Sequence, residues 1–259
     1  MILADFTTIA ILKTFLVFCR VGTLFMFIPA ISDATVSVNI RLILAIMVSI
    51  ALTASVEESF MQLNVELTSS PLLLFLLIIQ ELATGLSLGI IVRTILTAIH
   101  IAGITIASQL GLAAAMLFDP SQQTQGSVVG NIFSLLAVIL LLLSNTHLMI
   151  LEGVVHSYKV IPFYTITEFY PSLLDTIITV LNGAWEAGVK IAAPFIILTT
   201  ILMLGVGILS KLMPQLQIFF LTLPAQILVG VVLLATTISA IGVWFVEYYQ
   251  EVLCRVFGL

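Results

Sequence analysis

The chain has 259 residues, of which 61% are hydrophobic and only 8% are charged, and its formal net charge is -5. Soluble globular domains carry roughly 25% charged residues, so this composition excludes a soluble globule and indicates an integral membrane protein. At about 20 residues per span, the length accommodates about five to eight helices. The eight Lys and Arg residues are scattered singly, so the sequence predicts neither a nucleic-acid partner nor a polybasic lipid site.

The first apolar stretch covers about residues 9–31 and carries Lys13 and Arg20. The residues before it lack a cationic region and a cleavage site, so we expect this span to be retained as a membrane anchor. Lys13 lies near one end, where its side chain can extend to water. Arg20 lies near the middle, and because a charge facing lipid is costly, we expect it to face protein, water or a partner subunit.

The next two spans are predicted at about residues 39–55 and from Pro71 to about residue 91. Ser69 and Ser70 can cap a helix, and proline is tolerated in its first turn. Gly85 and Gly89 form a small-xxx-small pair, which lets helix backbones approach closely. After Arg93 the apolar character resumes as far as residue 112, so the pattern leaves open one long bent helix or two spans.

Glu81 is a carboxylate in the middle of the third apolar span. One interpretation is a charge contact with Arg93, with Arg20 or with another subunit. The other is a proton relay. Pairing is favoured because charges inside membrane proteins usually pair.

The second half of the chain contains three long apolar stretches, at residues 128–151, 175–212 and 216–245. Residues 152–171 are polar and aromatic, which is typical of a membrane interface. The connection after residue 212 is short, so the last two stretches are predicted to form an antiparallel helical hairpin, and residues 247–259 a terminal amphipathic piece. No repeat or low-complexity linker divides the chain. These features predict a single all-α domain of the polytopic membrane type.

Two charged clusters were weighed as chemical sites. His147, Glu152 and His156 fall within ten residues, but their spacing does not match a zinc motif, and a pair between Glu152 and His156 at i,i+4 is favoured. Glu186 and Lys190 have the same spacing, and structural pairing is favoured over ion coupling. No nucleophile elbow, phosphate-binding loop or carboxylate array is present, so we expect neither an enzyme nor a cofactor or metal.

The segment 111–126 is the one place where the chain turns polar between two apolar stretches. Polar backbone at membrane depth is tolerated only where protein covers it or where it lines a water-filled path. A surface loop is the more common outcome for a connection of this kind. The residues alone therefore leave open a surface loop or a piece of pore wall.

Several motifs, in this order and spacing, carry a resemblance that covers nearly the whole chain. They are Phe-Asp-Pro at 118–120, Asn-Thr-His-Leu at 145–148, Lys-Leu-Met-Pro-Gln at 211–215 and Pro-Ala-Gln-Ile-Leu-Val-Gly at 224–230. The chain resembles the FliR/SctT family of type III secretion export-gate proteins, whose members serve flagella and injectisomes respectively. Family members often carry asparagine where this chain has Gln217.

The resemblance implies a subunit of the flagellar export gate in the bacterial inner membrane, at the flagellar basal body. One copy would assemble with several copies of FliP and FliQ, join FlhB, and help to pass unfolded flagellar subunits. Residues 1–174 would correspond to a FliP-like half, residues 175–246 to a FliQ-like hairpin and residues 247–259 to a tail. In the assembled gate, apolar helices would be buried against sister subunits.

The resemblance also assigns roles to individual residues. A loop that plugs the closed channel would include Met116, Leu117, Phe118, Asp119 and Pro120. The turn of the C-terminal hairpin, at the cytoplasmic entrance, would include Lys211, Pro214, Gln215 and Gln217. Contacts between subunits would explain the charges of Arg20, Glu81 and Arg93.

Three alternatives remain open, of which the plainest is a purely structural membrane anchor with no gating role. Another is an injectisome export-gate subunit of the SctT type. The third is a small secondary transporter that uses Glu81 and the segment near Gln109 as a substrate site, which would require paired discontinuous helices.

Overall fold

The computed structural model describes residues 2–32, 36–56, 60, 71–111, 128–161, 166–213 and 218–258. Over these residues the chain forms seven α-helices and no strand, which confirms the all-α class. The helices are α1 (Ile2–Phe25), α2 (Val38–Ser55), α3 (Pro71–Gln109), α4 (Val128–Leu143), α5 (Thr146–Val160), α6 (Ile166–Leu212) and α7 (Ile218–Phe257).

Helix α3 answers the question that the hydropathy pattern left open, because it is one continuous helix of 39 residues. It begins at Pro71, as the capping signals predict. Arg93 causes no break and lies exposed on the surface of the helix. At about 1.5 Å per residue, α3 is roughly 58 Å long, which is about twice the thickness of the hydrocarbon core of a bilayer.

The apolar stretch 128–151, predicted as one span, is broken instead into α4 and α5, which meet at an angle of 71°. Ser144 and Asn145 form the break, and Asn145 has a left-handed backbone conformation with φ of 56°. Asparagine is one of the few residues that adopt this conformation readily. Four polar residues, from Ser144 to His147, interrupt the apolar stretch in the sequence, but polarity alone does not predict that the helix axis bends there.

Four helical segments in the described residues are long and apolar enough to cross a membrane. They are Val38–Ser55, Pro71–Gln109, Leu173–Leu212 and Thr222–Phe257, and the bent pair of α4 and α5 adds a fifth if it counts as one span. Half of the most apolar window of α3 is buried inside the chain, against 11–17% for the other three. The most apolar window of α3 is therefore covered by the rest of the chain to a greater extent than the corresponding windows of the other three segments.

The helices form two compact units that are discontinuous in sequence. Unit 1 comprises Met1–Ile95, Asn145–Leu181 and Gln250–Leu259, and unit 2 comprises Leu96–Ser144 and Asn182–Tyr249. Helices α3, α6 and α7 each contribute residues to both units. The correspondence of residues 1–174 and 175–246 to FliP-like and FliQ-like halves stays a prediction.

In unit 1, α1 crosses α3 at the predicted pair of small residues. A Cβ atom on Gly85 would overlap the Thr23 side chain and the Arg20 carbonyl, and one on Gly89 would lie 2.7 Å from the Phe27 ring. Glycine removes the side chain at both positions, so the two backbones come into direct contact. This close approach brings the C-terminal end of α1 next to the middle of α3.

In unit 2, the paired parts of α6 and α7 run antiparallel, as the short connection between them predicts. Ala184 and Ala187 of α6 pack with Tyr248 of α7, while Pro194, further along α6, shares a groove with Thr237, further back on α7. Helix α7 then continues without a break to Phe257. The predicted C-terminal tail is therefore the end of this helix.

Gly85→Ala tests the close crossing of α1 and α3. We expect this substitution to destabilise the purified chain in detergent by about 1–3 kcal/mol, because the backbone and side-chain atoms that face Gly85 leave no room for a methyl group. Gly205→Ala is the control, since nothing lies within 4 Å of the Cβ position at Gly205 in α6. Alanine favours the helix there by up to about 1 kcal/mol. Equal denaturation midpoints for the two variants would contradict the proposed crossing.

Candidate functional site

The most polar site in the interior of unit 1 is an ion pair between Arg20 of α1 and Glu81 of α3. The Arg20 Nε donates to Glu81 Oε2, and the Nη2 donates to Glu81 Oε1, both at 2.8 Å. Both side chains are 0% exposed. The guanidinium and the carboxylate thus meet through two parallel hydrogen bonds, which is the strongest arrangement for this pair.

Helix α5 supplies the remaining partners of the ion pair. The Arg20 Nη1 donates to Ser157 Oγ at 2.9 Å, and the Ser157 hydroxyl in turn donates to the Val154 carbonyl at 2.6 Å. The guanidinium carbon lies 3.7 Å from the centre of the Tyr158 ring, and the Tyr158 hydroxyl donates to Glu81 Oε2 at 3.3 Å. Arg20, Glu81, Ser157 and Tyr158, called the charge cluster below, thereby join α1, α3 and α5.

This geometry decides between the interpretations of Glu81. Pairing with Arg20 is confirmed, and it lies inside the chain rather than between subunits. The intersubunit role expected for Arg20 and Glu81 is therefore wrong, because neither side chain reaches the surface of the chain. Arg93 is exposed on α3, so its contact with another subunit stays a prediction.

The sequence did not indicate that Ser157 and Tyr158 belong to this site. Both fall in the stretch assigned to the membrane interface, yet Ser157 is 3% exposed and Tyr158 only 2%. The usable signal is the spacing of Gly153 and Ser157, two small residues four apart that face the interior on α5. The polar and aromatic composition of residues 152–171 therefore gave no sign that one face of α5 is buried.

Of the other two charged pairs predicted from the sequence, one does not form and one does. The expected pair between Glu152 and His156 does not form, because the His156 Nδ1 bonds instead to the Phe257 carbonyl at 2.6 Å, near the end of α7. Glu186 and Lys190 do pair, at 2.7 Å, with both side chains largely exposed. No group of three or more His, Cys, Asp or Glu residues in the described parts of the chain has the geometry of a metal site.

The residues assigned to the plug and to most of the hairpin turn lie outside the described residues. These are Met116, Leu117, Phe118, Asp119 and Pro120 of the plug, and Pro214, Gln215 and Gln217 of the turn. The structure describes Gly111, five residues before Met116, and Lys211, three residues before Pro214. Gly111, after the end of α3, has φ of 74°. Lys211 lies exposed in the last turn of α6, where a cation is favourable at the negative end of the helix dipole.

Fold and site together define a class of protein: an all-α chain of the membrane type whose buried polar residues hold helices to one another. The profile of the family "Bacterial export proteins, family 1" matches residues 11–252. The chain therefore belongs to this family, and the resemblance to the FliR/SctT family is confirmed at that level.

Individual relatives align over most of the chain. It is 29% identical to the flagellar biosynthetic protein FliR of Caulobacter vibrioides, over 92% of this chain and 93% of the relative. It is 27% identical to FliR of Escherichia coli, over 90% of this chain and 87% of the relative. The surface presentation of antigens protein SpaR of Shigella sonnei is 25% identical, over 90% of this chain and 88% of that protein.

Arg20→Met or Glu81→Met tests the charge cluster. Each should destabilise the chain by about 3–5 kcal/mol, because the partner is left as an unpaired buried charge. Replacing both residues by Met should recover much of this loss, since no charge is then left unpaired. The measurement is chemical denaturation of the purified chain, analysed as a double-mutant cycle.

The matched control for the charge cluster is Lys190→Met, which breaks the largely exposed pair with Glu186 and should leave the denaturation midpoint almost unchanged. Single substitutions at Arg20 and Glu81 that cost no more than this control would show that the cluster does not hold the helices together.

Proposed function

We propose that the chain is a non-enzymatic, channel-forming subunit of the flagellar type III protein export gate in the bacterial inner membrane, at the flagellar basal body. One copy assembles with FliP and FliQ homologues, joins a FlhB homologue, and forms part of the path for unfolded flagellar subunits. Family membership over residues 11–252 supports this proposal, as do alignments with FliR proteins over most of their length.

The structural observation that carries the proposal is an uncovered apolar stripe on α6. Ile197, Ile201, Leu204 and Ile208 are 60–65% exposed. Their spacing of four, three and four residues places them on one face of the helix. Such spacing suits packing against another helix, so sister subunits fit this face as partners.

The flagellar assignment is favoured over the injectisome alternative by the relatives. The two FliR proteins described above are 29% and 27% identical to this chain, and SpaR is 25% identical, as is a further FliR protein, so the higher identities favour the flagellar assignment by a small margin. In this assignment the antiparallel hairpin of α6 and α7 is the FliQ-like part, and the preceding helices are the FliP-like part.

The proposal assigns the channel seal to the segment that follows Gly111. Met116, Leu117 and Phe118 are bulky and apolar, and Asp119-Pro120 turns the chain after them. Apolar constrictions close pores by excluding water. These three side chains would therefore keep ions and metabolites from passing while no substrate occupies the channel.

A secondary transporter, the alternative from another class, finds less support. Both carboxylate oxygens of Glu81 bond to Arg20, and the Glu81 side chain is 0% exposed. A substrate or proton site needs access to water. The buried pair instead fits a residue that holds helices together.

Leu204→Asp on α6 tests assembly through the apolar stripe. The unmodified chain should purify with stoichiometric FliP and FliQ homologues, whereas a transporter would be stable alone or as a small homo-oligomer. Leu204→Asp should reduce the recovery of both partners at least tenfold, because a charge would be buried at the interface.

Ser210→Asp is the control, since Ser210 is also exposed but lies on nearly the opposite side of α6 at about 100° per residue. The abundance of each variant in the membrane is measured in parallel. Equal recovery of the partners with both variants, at equal abundance, would reject the stripe as an assembly surface.

Deletion of residues 116–118, or their replacement by glycine, tests the seal. The gate should still assemble, but cells should become permeable to small ions and metabolites because the apolar constriction is lost. The control is deletion of Gln122, Gln123 and Thr124, which shortens the same segment equally without removing an apolar side chain. Unchanged permeability in an assembled gate lacking residues 116–118 would contradict the assignment of the seal to these residues.

A further inference from the structure

The end of α3, inside unit 2, is held by polar contacts from two other helices. The backbone carbonyl of Gln109, the last residue of α3, accepts a hydrogen bond from the side-chain amide of Gln226 on α7. The Thr199 hydroxyl on α6 lies 3.2 Å from the same oxygen and 2.8 Å from the Phe195 carbonyl of its own helix, so two acceptors share its one proton. The last four carbonyls of a helix have no partner within it, so the Gln226 amide satisfies an oxygen that α3 leaves open, and the Thr199 hydroxyl is a second donor within reach of it.

Close packing on α7 accompanies these hydrogen bonds. Leu110 is 2% exposed and fills the space beside Gly230, where a Cβ atom would overlap its side chain. Gly111 has a left-handed backbone, and a Cβ atom there would lie 3.2 Å from a Leu223 methyl group. Three consecutive residues, from Gln109 to Gly111, are thus fitted against α7.

Gln226 carries a further polar atom that its role as a packing residue does not explain. The residue is 4% exposed, and its Oε1 has no hydrogen-bond partner among the described residues. A buried polar atom left without a partner is unfavourable, and leucine would fill a similar volume without one. The bond from the Gln226 amide to the Gln109 carbonyl is what a glutamine contributes and a leucine does not.

This contact lies directly before the segment to which the seal is assigned. Gly111 is the last described residue before residues 112–127, which include the side chains assigned to the constriction. The direction in which that segment leaves α3 is set by the backbone of Gln109, Leu110 and Gly111. If the end of α3 were not held in place, the segment that carries residues 116–118 would begin from a variable position.

We propose that Gln226 and Thr199 form a clamp on the Gln109 carbonyl that fixes the end of α3, and that they are positioning residues for the seal. Gly230 is part of the clamp because it admits Leu110. The inference rests on the function proposed above for residues 116–118. It also gives a physical role to the Pro224–Gly230 motif, which carried the family resemblance without an explanation of its residues.

The test uses Gln226→Leu and Thr199→Val in the assembled gate. The control is Thr200→Val, because the Thr200 hydroxyl is exposed and bonds only to the Ile196 carbonyl of its own helix, at 2.7 Å. Co-purification with the partner subunits verifies that each variant assembles. Thr199→Val removes a single hydroxyl, so it remains informative if Gln226→Leu does not assemble.

The first readout is amide hydrogen exchange at Leu110 and Gly111, whose N–H groups bond to the Ile106 and Ser108 carbonyls. We expect exchange at these amides to rise about tenfold in Gln226→Leu, which loses the main bond to the Gln109 carbonyl, and only about twofold in Thr199→Val, whose hydroxyl is shared with the Phe195 carbonyl. Exchange in Thr200→Val should not change. The second readout is permeability of cells to small ions, which should rise in the first two variants only.

The outcomes separate the clamp from the seal. Unchanged exchange in both clamp variants overturns the clamp. Raised exchange without a leak also overturns its positioning role, provided that deletion of residues 116–118 does leak. If that deletion does not leak, the proposed seal itself is wrong, and the role of the clamp in sealing is rejected with it.

Discussion

The buried bond between Arg20 and Glu81 is the constraint on which unit 1 depends. Removing two charges from water is costly, and the cost is offset only when geometry is good and every donor and acceptor is used. Two parallel hydrogen bonds of 2.8 Å, the Ser157 oxygen and the Tyr158 ring meet that condition. Because these groups come from α1, α3 and α5, satisfying one ion pair fixes three helices in register.

Polar contacts and closely packed glycines carry much of the specificity in this chain, because many large apolar side chains are exposed as well as buried. In a membrane-type helical protein, apolar area alone does not select which helix faces meet. Gly85 and Gly89 let α1 approach α3 in unit 1. In unit 2, Gln226 and Gly230 hold the end of α3 in the same way, with one amide hydrogen bond and one missing side chain.

Outside the contacts within the chain, α6 and α7 expose large apolar side chains. A soluble monomer rarely leaves a long apolar stripe uncovered, and α6 presents such a stripe at helical spacing. In the assembly proposed above for this member of a bacterial export family, sister subunits would cover this apolar and regular surface. Charges are then found where the chain satisfies them itself, as at Arg20, or at the exposed end of a helix, as at Lys211.

The sequence by itself determined the membrane character, the all-α class, the start of α3 at Pro71, the C-terminal hairpin and the family, because composition, capping signals and ordered motifs are local properties. Only the tertiary structure decided that Glu81 pairs with Arg20 inside the chain, that Tyr158 is buried, and that α4 and α5 meet at a bend. The first two outcomes depend on which helices become neighbours across 61 and 137 residues of sequence, in the bonds from Arg20 to Glu81 and to Ser157. Hydropathy carries no such information, since an apolar helix looks the same whether protein or lipid covers it.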